Sequence, residues 1–305
     1  MAGQYNRSAV ASSRAGGATA CHSEWVNSDG APDRLIAPLV DLLMGRRFVT
    51  LTGAGCSTDS GIPDYRGNGR TGPRNPIQHD AFLRDAETRR RYWARATLGW
   101  QRFTAAVPNA GHQALAGLED AGLLTGLITQ NVDRLHHRAG SRHVVELHGA
   151  LDRVSCLRCG DVEPRDEVHA RLLRANPGWL QTSADVRPDG DAELPPDAVA
   201  GFHVVACRGC GGELKPDVVF FGGTVPEQTL ASAWEMFDRG QALLVAGSSL
   251  TVYSGFRFVR RAAERGVPVA IVNLGPTRAD ELAAVKLDLS TAQALPALAR
   301  ALTAG

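Results

Sequence analysis

The chain is poor in lysine, in long apolar runs and, over its first thirty residues, in acidic side chains. Two lysines, Lys215 and Lys286, stand among 33 basic residues against 32 acidic ones, for a net charge of +1. A nearly neutral chain has no electrostatic footprint for specific nucleic-acid binding. The arginines are scattered, and a GC-rich coding bias accounts for their excess. No apolar stretch approaches the roughly 18 residues of a membrane span, so no membrane partner is expected. No acidic residue precedes Glu24, and residues 1–30 carry just Arg7, Arg14 and many Ala, Ser and Gly. That segment lacks an apolar secretion core. It reads as a disordered extension of a cytoplasmic, bacterial-type chain, and as mitochondrial only if it is a transit peptide. Composition is globular, with 44% hydrophobic and 21% charged residues, and 305 residues suit two domains or one large domain with an insertion. Nothing here sets the oligomeric state.

A second shortage lies inside "LTGAGCSTDSGIPDYRG", residues 51–67. The stretch opens like a dinucleotide-binding turn after an apolar strand. The third glycine of G-x-G-x-x-G is missing, with Thr58 in its place, and no strand ending in an acidic residue follows about 20 residues on. Both absences count against an ordinary dehydrogenase.

Six cysteines are present, four of them as two C-x-x-C pairs, Cys156 with Cys159 and Cys207 with Cys210. Two residues between thiolates let both address one tetrahedral ion, and Gly160 and Gly211 permit the turns. One structural zinc ion per chain is expected, with redox dithiols or a disulfide as the alternatives. A helical insertion, "EVHARLLRANPGWL", is expected to fill the gap of 47 residues between the pairs.

Elsewhere short apolar runs alternate with amphipathic stretches. Strands are expected at 47–52, 123–129, 144–147, 217–221, 242–248 and 267–273. Helical patterns occupy "HDAFLRDAETRRRYWARATLGW", "AGHQALAGLEDAG", "EQTLASAWEMFDRG", "GFRFVRRAAERG" and "TAQALPALARALT". The fold class is α/β: a Rossmann-like, doubly wound parallel sheet with a smaller inserted zinc-binding module. The sheet domain would span 31–152 and 212–305, and the module 153–211. Polar or small residues close four strands, as GAG, TQNVD, GSS and NLG. A dinucleotide lying across the carboxyl ends of the strands would use them.

Taken in order, "GAGCSTDSGIPDYR", "TQNVDRLH", "ELHG", the paired C-x-x-C, "LKPDVVFFG", "GSSL" and "NLG" resemble the sirtuins, the NAD-dependent protein deacylases. The resemblance covers about residues 35 to 300. "NPIQHDAF", "RRYWAR", "GSSLTVYSGFRF" and "NLGPTRADEL" look like the class II branch that includes mitochondrial sirtuin four.

The resemblance implies that NAD is a co-substrate that is broken. In such enzymes the acyl-lysine carbonyl oxygen attacks the nicotinamide ribose and nicotinamide leaves. A histidine deprotonates a ribose hydroxyl, and transfer ends in O-acyl-ADP-ribose. His148 matches that base, and a residue titrating near neutrality suits the task. Asn131 would order ribose and water, and Asp133 would hold the carboxamide, though Asp133 also suits a helix N-cap. Gly53, Ala54 and Gly55 would approach the pyrophosphate, with Ser57 and Thr58 as hydroxyl donors near a helix N-terminus. Asp64, Tyr65 and Arg66 match the mobile cofactor loop. Gln130, Val132, Gly247, Ser248, Ser249, Asn273, Leu274 and Gly275 complete the NAD contacts, and Thr291 is placed near adenine by its distance from Pro296 alone. Val218, Val219, Phe220, Phe221 and Gly222 would pair with an acylated lysine's peptide. His136 would support the site, and His137 reads as surface.

The chain departs from the family pattern at Gly223, where an acidic residue is usual, and at Ser254, where proline is common and the class II branch shares the change. The Tyr-x-x-Arg pair that succinyl-removing members use is not expected in this chain, and Arg70 and Arg74 read as exposed loop arginines, with contact to an acidic or bulky acyl chain as the alternative. The expected activity is NAD-dependent protein-lysine deacylation. The alternatives are protein mono-ADP-ribosyl transfer and a lipoyl- or long-acyl-selective lipoamidase.

Overall fold

The computed structural model describes residues 32–64, 76–181, 194 and 199–304. Six parallel strands form the large sheet: β1 (Phe48–Thr52), β2 (Leu124–Thr129), β3 (Val144–Glu146), β7 (Ala242–Ala246), β8 (Val269–Val272) and β9 (Val285–Leu287). Their order is β3-β2-β1-β7-β8-β9, which is the doubly wound order with the reversal between β1 and β7. Every residue of β1, β7 and β8 is buried, which explains their near-continuous apolar runs. On one face Leu39, Leu43, Leu115, Leu118, Leu295 and Leu298 form the core. On the other Met236, Phe237, Phe258 and Val259 do so, from helices Glu227–Asp238 and Tyr253–Glu264.

A second, three-stranded antiparallel sheet joins β4 (Gly149–Cys156), β5 (Val162–Pro164) and β6 (Leu214–Val218) in the order β5-β4-β6. The run expected as a strand at 217–221 therefore belongs to this sheet and begins earlier, at Leu214. It returns from the second cysteine pair with no crossover helix, so it lies antiparallel against β4. Beyond Val218 the chain leaves the strand: Val219 N–H donates to His148 O at 2.9 Å, and Gln78 bridges Phe221.

The stretch 79–100 divides into helices His79–Arg84 and Ala86–Ala105, because Asp85 caps the second by accepting from the Glu87 and Thr88 N–H groups. The longer helix is pinned to the small sheet. Trp93 Nε1 donates to Leu214 O at 3.1 Å and Trp100 Nε1 to Asp166 at 2.7 Å. The Arg165 guanidinium lies 4.6 Å and 5.0 Å from the Trp93 and Trp100 ring centroids. Phe82, Tyr92 and Trp93 thus share one core with Val154, Cys156, Leu172 and Cys207. The insertion helix is Arg165–Ala175, followed by a turn at Trp179–Gln181. Among the described residues no helix is long and apolar enough to cross a membrane.

Candidate active site

At the switch point the ends of β1 and β7 touch backbone to backbone. Gly55 N–H donates to Gly247 O at 2.8 Å. A Cβ on Gly53 would stand 2.7 Å from Ser248 Cβ, and one on Gly247 (φ +65°) would stand 2.3 Å from Cys56 N. Small residues in GAG and GSS are therefore required by each other as well as by any ligand. Two single 3-10 turns, Ala54–Cys56 and Thr58–Ser60, follow the glycines. Ser57 and Thr58, expected near a helix N-terminus, lie instead at 3-10 turns that Gly61 (φ +84°) ends, with Pro63 following. Thr58 is exposed, and its hydroxyl turns back to Gly55 O.

Behind this turn lies a buried polar chain. Asn131 Nδ2 donates to Gly53 O at 3.0 Å and to Ser57 Oγ at 3.1 Å, and Ser57 Oγ donates to Asp133 Oδ2 at 2.7 Å. The other Asp133 oxygen accepts the Leu135 N–H at 2.9 Å, just ahead of helix Leu135–Arg138, whose N-cap position is Arg134 and not Asp133. Burial raises Asp133 above the ordinary carboxylate range, opposed by the Ser57 and Leu135 hydrogen bonds. His136 is fully enclosed, with Nε2 2.9 Å from Thr52 Oγ1, and burial holds it well below the usual imidazole range. His137 is half-buried, 3.7 Å from Glu146 Oε1.

His148 stands between β3 and β4. Its Nδ1 lies 2.9 Å from Gln130 O and its Nε2 2.7 Å from Ser254 Oγ. Burial lowers its pKa from the ordinary value, and the Arg257 charge lowers it further, against the Gln130 hydrogen bond. At Gly149 (φ +77°) a Cβ would stand 2.0 Å from Asp217 O. No other residue fits where the chain passes from the large sheet to the small one.

Gln130 Nε2 donates to Ser248 Oγ at 2.7 Å, and Leu250, left-handed at φ +56°, follows on. Arg134 is the other non-glycine at positive φ among the described residues, and it pairs with Glu146 at 2.8 Å and Asp152 at 3.2 Å. A positive φ at a non-glycine residue stores backbone strain at both positions. Val132 is half-buried against Leu151 and Trp100. Ser249 lies 3.2 Å from Thr251 Oγ1, and Asn273 Nδ2 is turned to Leu274 O and Gly275 O. Leu274 is 65% exposed. Thr291 is 1% exposed, packed under the turn with its hydroxyl toward Gly55 O, so it does not present a side chain to the crevice. Asp64 is half-buried at the edge of the described residues, and Tyr65, Arg66, Arg70 and Arg74 lie outside them.

Val218 and Val219 run beside His148, while Phe220 packs on Phe82 and Tyr92 at 4.9 Å and 5.4 Å between centroids. Phe221 is exposed and Gly222 adopts φ +79°. A Cβ on Gly223 would meet Phe220 O at 3.0 Å and His79 at 3.3 Å, a contact that disfavours a larger side chain there. A Tyr-x-x-Arg spacing does stand in this chain, at Tyr92 and Arg95, both buried on helix Ala86–Ala105. It is hidden within the aromatic-rich "RRYWAR".

At the far side of the small sheet the four cysteines converge. Cys156 and Cys210 sulfurs lie 3.5 Å apart and Cys159 and Cys207 3.8 Å apart, with all four within 4.8 Å of one another. Sulfurs about 2.3 Å from a tetrahedral ion stand about 3.8 Å apart, so the cluster fits zinc. The Arg158 N–H donates to Cys156 Sγ at 3.4 Å, the kind of contact that supports a thiolate ligand.

The Sir2 family model matches residues 53–254. The chain belongs to the sirtuin family. NAD-dependent protein deacetylase 1 of Mycobacterium avium (strain 104) is 52% identical over 266 residues, 86% of this chain and 93% of that protein. The human NAD-dependent protein lipoamidase sirtuin-4, mitochondrial, is 47% identical over 260 residues, 84% and 82% of the two chains. A solved structure described as "Sir2 bound to acetylated peptide" superposes with a TM-score of 0.66 at 31% identity, covering 85% of this chain and 95% of that one. Another, "Structural Basis for the Mechanism and Regulation of Sir2 Enzymes", gives 0.68 at 30% identity, covering 89% and 99%. In this sirtuin His148, the buried Asn131–Ser57–Asp133 chain and the start of segment 218–222 lie close to the junction of the two sheets. Gly149 and the contacts of the Gln130 carbonyl and Ser254 hydroxyl with the His148 ring are not legible in the sequence, though the glycine of "ELHG" is a signal for the first.

Proposed function

We propose that this sirtuin is an NAD-dependent protein-lysine deacylase that releases nicotinamide and O-acyl-ADP-ribose. The observation that carries the reading is His148: a half-buried imidazole with Nδ1 anchored on the Gln130 carbonyl and Nε2 2.7 Å from the Ser254 hydroxyl. Such a ring takes a proton from a hydroxyl at near-neutral pH. Bound NAD supplies the electrophilic ribose carbon and the hydroxyl. Asn131 orients polar atoms beside that hydroxyl, and Asp133 accepts from the carboxamide N–H groups. Gly53, Ala54, Gly55, Ser248 and Ser249 lie against phosphate and ribose, and Asn273 against the second ribose. Segment 218–222 takes the acylated peptide by strand addition. Zinc held by Cys156, Cys159, Cys207 and Cys210 staples the small sheet, and all four ligand positions are filled by protein, which leaves it no catalytic place.

Mass spectrometry of the full chain with NAD and acyl-lysine peptides, from acetyl through glutaryl-like to lipoyl, tests this. Nicotinamide with O-acyl-ADP-ribose from one peptide class is the expected product pair. Nicotinamide without peptide, with ADP-ribose mass gained by protein, would replace the reading with mono-ADP-ribosyl transfer. The relation to a human lipoamidase makes the lipoyl peptide the informative arm.

A further inference from the structure

Both ring nitrogens of His148 are engaged, and their partners differ in kind. The Gln130 carbonyl only accepts, so Nδ1 carries the proton and the neutral ring offers a lone pair at Nε2. Ser254 Oγ, 2.7 Å away, must then be donating into it. Ser254 is the second residue of helix Tyr253–Glu264 and is 8% exposed, so its rotamer is enclosed. The next residue acts on the opposite side of the same ring. A Cβ at Gly255 would stand 2.6 Å from Gln130 Oε1, so glycine is what lets the Gln130 side chain lie there. That side chain is held by Ser248 Oγ at 2.7 Å and Thr52 O at 3.3 Å, which fixes the residue whose carbonyl anchors Nδ1. One Ser-Gly step at a helix start thus sets both ends of the imidazole.

We propose that Ser254 is the positioning residue of the base. Its hydroxyl holds His148 with Nε2 turned to the crevice, and yields that lone pair to the ribose hydroxyl when NAD and acyl-lysine are in place. The inference rests on the deacylase reading for its functional consequence. The yielding is a hydrogen-bond exchange: Ser254 O–H releases Nε2, the ribose O–H donates to it, and the proton then passes to Nε2. Ser254 forms no covalent bond.

Among the described residues Arg257, on the helix that carries Ser254, is the charged group that acts on the ring, the residue after β2 contributes the Gln130 carbonyl, and the start of segment 219–222 contributes the Val219 N–H to the His148 carbonyl. A donor on Nε2 favours the neutral ring. Removing it should raise the pH at which the base protonates.

The test uses the full chain with three variants, Ser254→Ala, Ser254→Thr and Ser254→Pro. Proline is tolerated in a helix's first turn, so Ser254→Pro is a second hydroxyl-free protein should the alanine variant fold poorly. Ser254→Ala and Ser254→Pro are expected to lose roughly three- to tenfold in kcat, with KM for NAD within about twofold. The acidic limb of the rate profile should move up by about half a pH unit. Ser254→Thr, which keeps a hydroxyl, should restore both. Nitrogen NMR of the imidazoles, in wild type and Ser254→Ala without substrates, should show the same upward move in His148. Unchanged kcat, pH limb and His148 titration in Ser254→Ala overturn the proposal. A wild-type chain that deacylates nothing sinks the deacylase reading instead, and the NMR titration then decides the positioning role by itself.

Discussion

Gly149→Ala is the most informative single change, because its cost can be worked from the geometry. The residue sits at φ +77°, and a left-handed conformation costs an L-residue about 1–2 kcal/mol. The added Cβ would also fall 2.0 Å from Asp217 O, backbone that cannot step aside as a side chain can. Relief requires β6 to move by about an ångström, enough to break contact distances tuned at interior packing density. That movement endangers the Val219 N–H bond to His148 O, worth roughly 1 kcal/mol. The total is about 3 kcal/mol, or a fall in Tm of about 5 °C for a chain of this length. Gly266→Ala is the control: it too has positive φ (+67°), but nothing lies within 4 Å of its Cβ. It should cost about 1 kcal/mol, the conformational part alone. Thermal unfolding of both variants, with turnover measured at a temperature where each is folded, separates strain from collision. Equal Tm losses in the two, or full turnover in Gly149→Ala, would refute the argument.

Other outcomes follow from the same geometry. His148→Ala should keep NAD binding and lose turnover by about 10²–10⁴, the usual range for a proton-transfer group, in steady-state assays beside a binding titration. Because burial lowers His148, kcat/KM in wild type should hold to pH values below the ordinary imidazole range before falling, which a pH profile checks. His112 is buried and its pKa is depressed from 6.5 to about 4. The unfolded chain then binds a proton that the folded one refuses, so stability is complete above 6.5 and falls by about 3 kcal/mol as pH drops towards 4. Denaturant titrations across that window should show a slope that His112→Gln reduces; an equal slope in both would assign it elsewhere. Cys207→Ser should lower zinc content below one ion per chain in metal analysis and destabilise the Trp93–Val154–Leu172 core that includes Cys207.

Much of this was legible in the chain itself. Alternating apolar runs and amphipathic helices fixed the parallel sheet, since strands buried on both faces must be apolar throughout, and C-x-x-C spacing fixed the thiolate cluster because the knuckle is a local geometry. Ordered motifs such as "TQNVDRLH" and "ELHG" named the family. Other features depended on partners far along the chain. The run at 217–221 pairs with β4 rather than the large sheet, and the helix from Ala86 serves the small sheet through Trp93 and Trp100; amphipathic pattern alone does not say which face will meet it. β9 is three residues long and includes a lysine, buried by a bond from Nζ to Asn273 O, so its pattern is too short to read. Thr291 packs under the Gly55 turn, a contact 236 residues away in sequence that local pattern does not show. Only the tertiary structure placed the Ser254 hydroxyl, 106 residues away in sequence, on His148 Nε2. Local spacing determines which chemistry a chain can hold, and long-range packing decides which atoms meet to perform it.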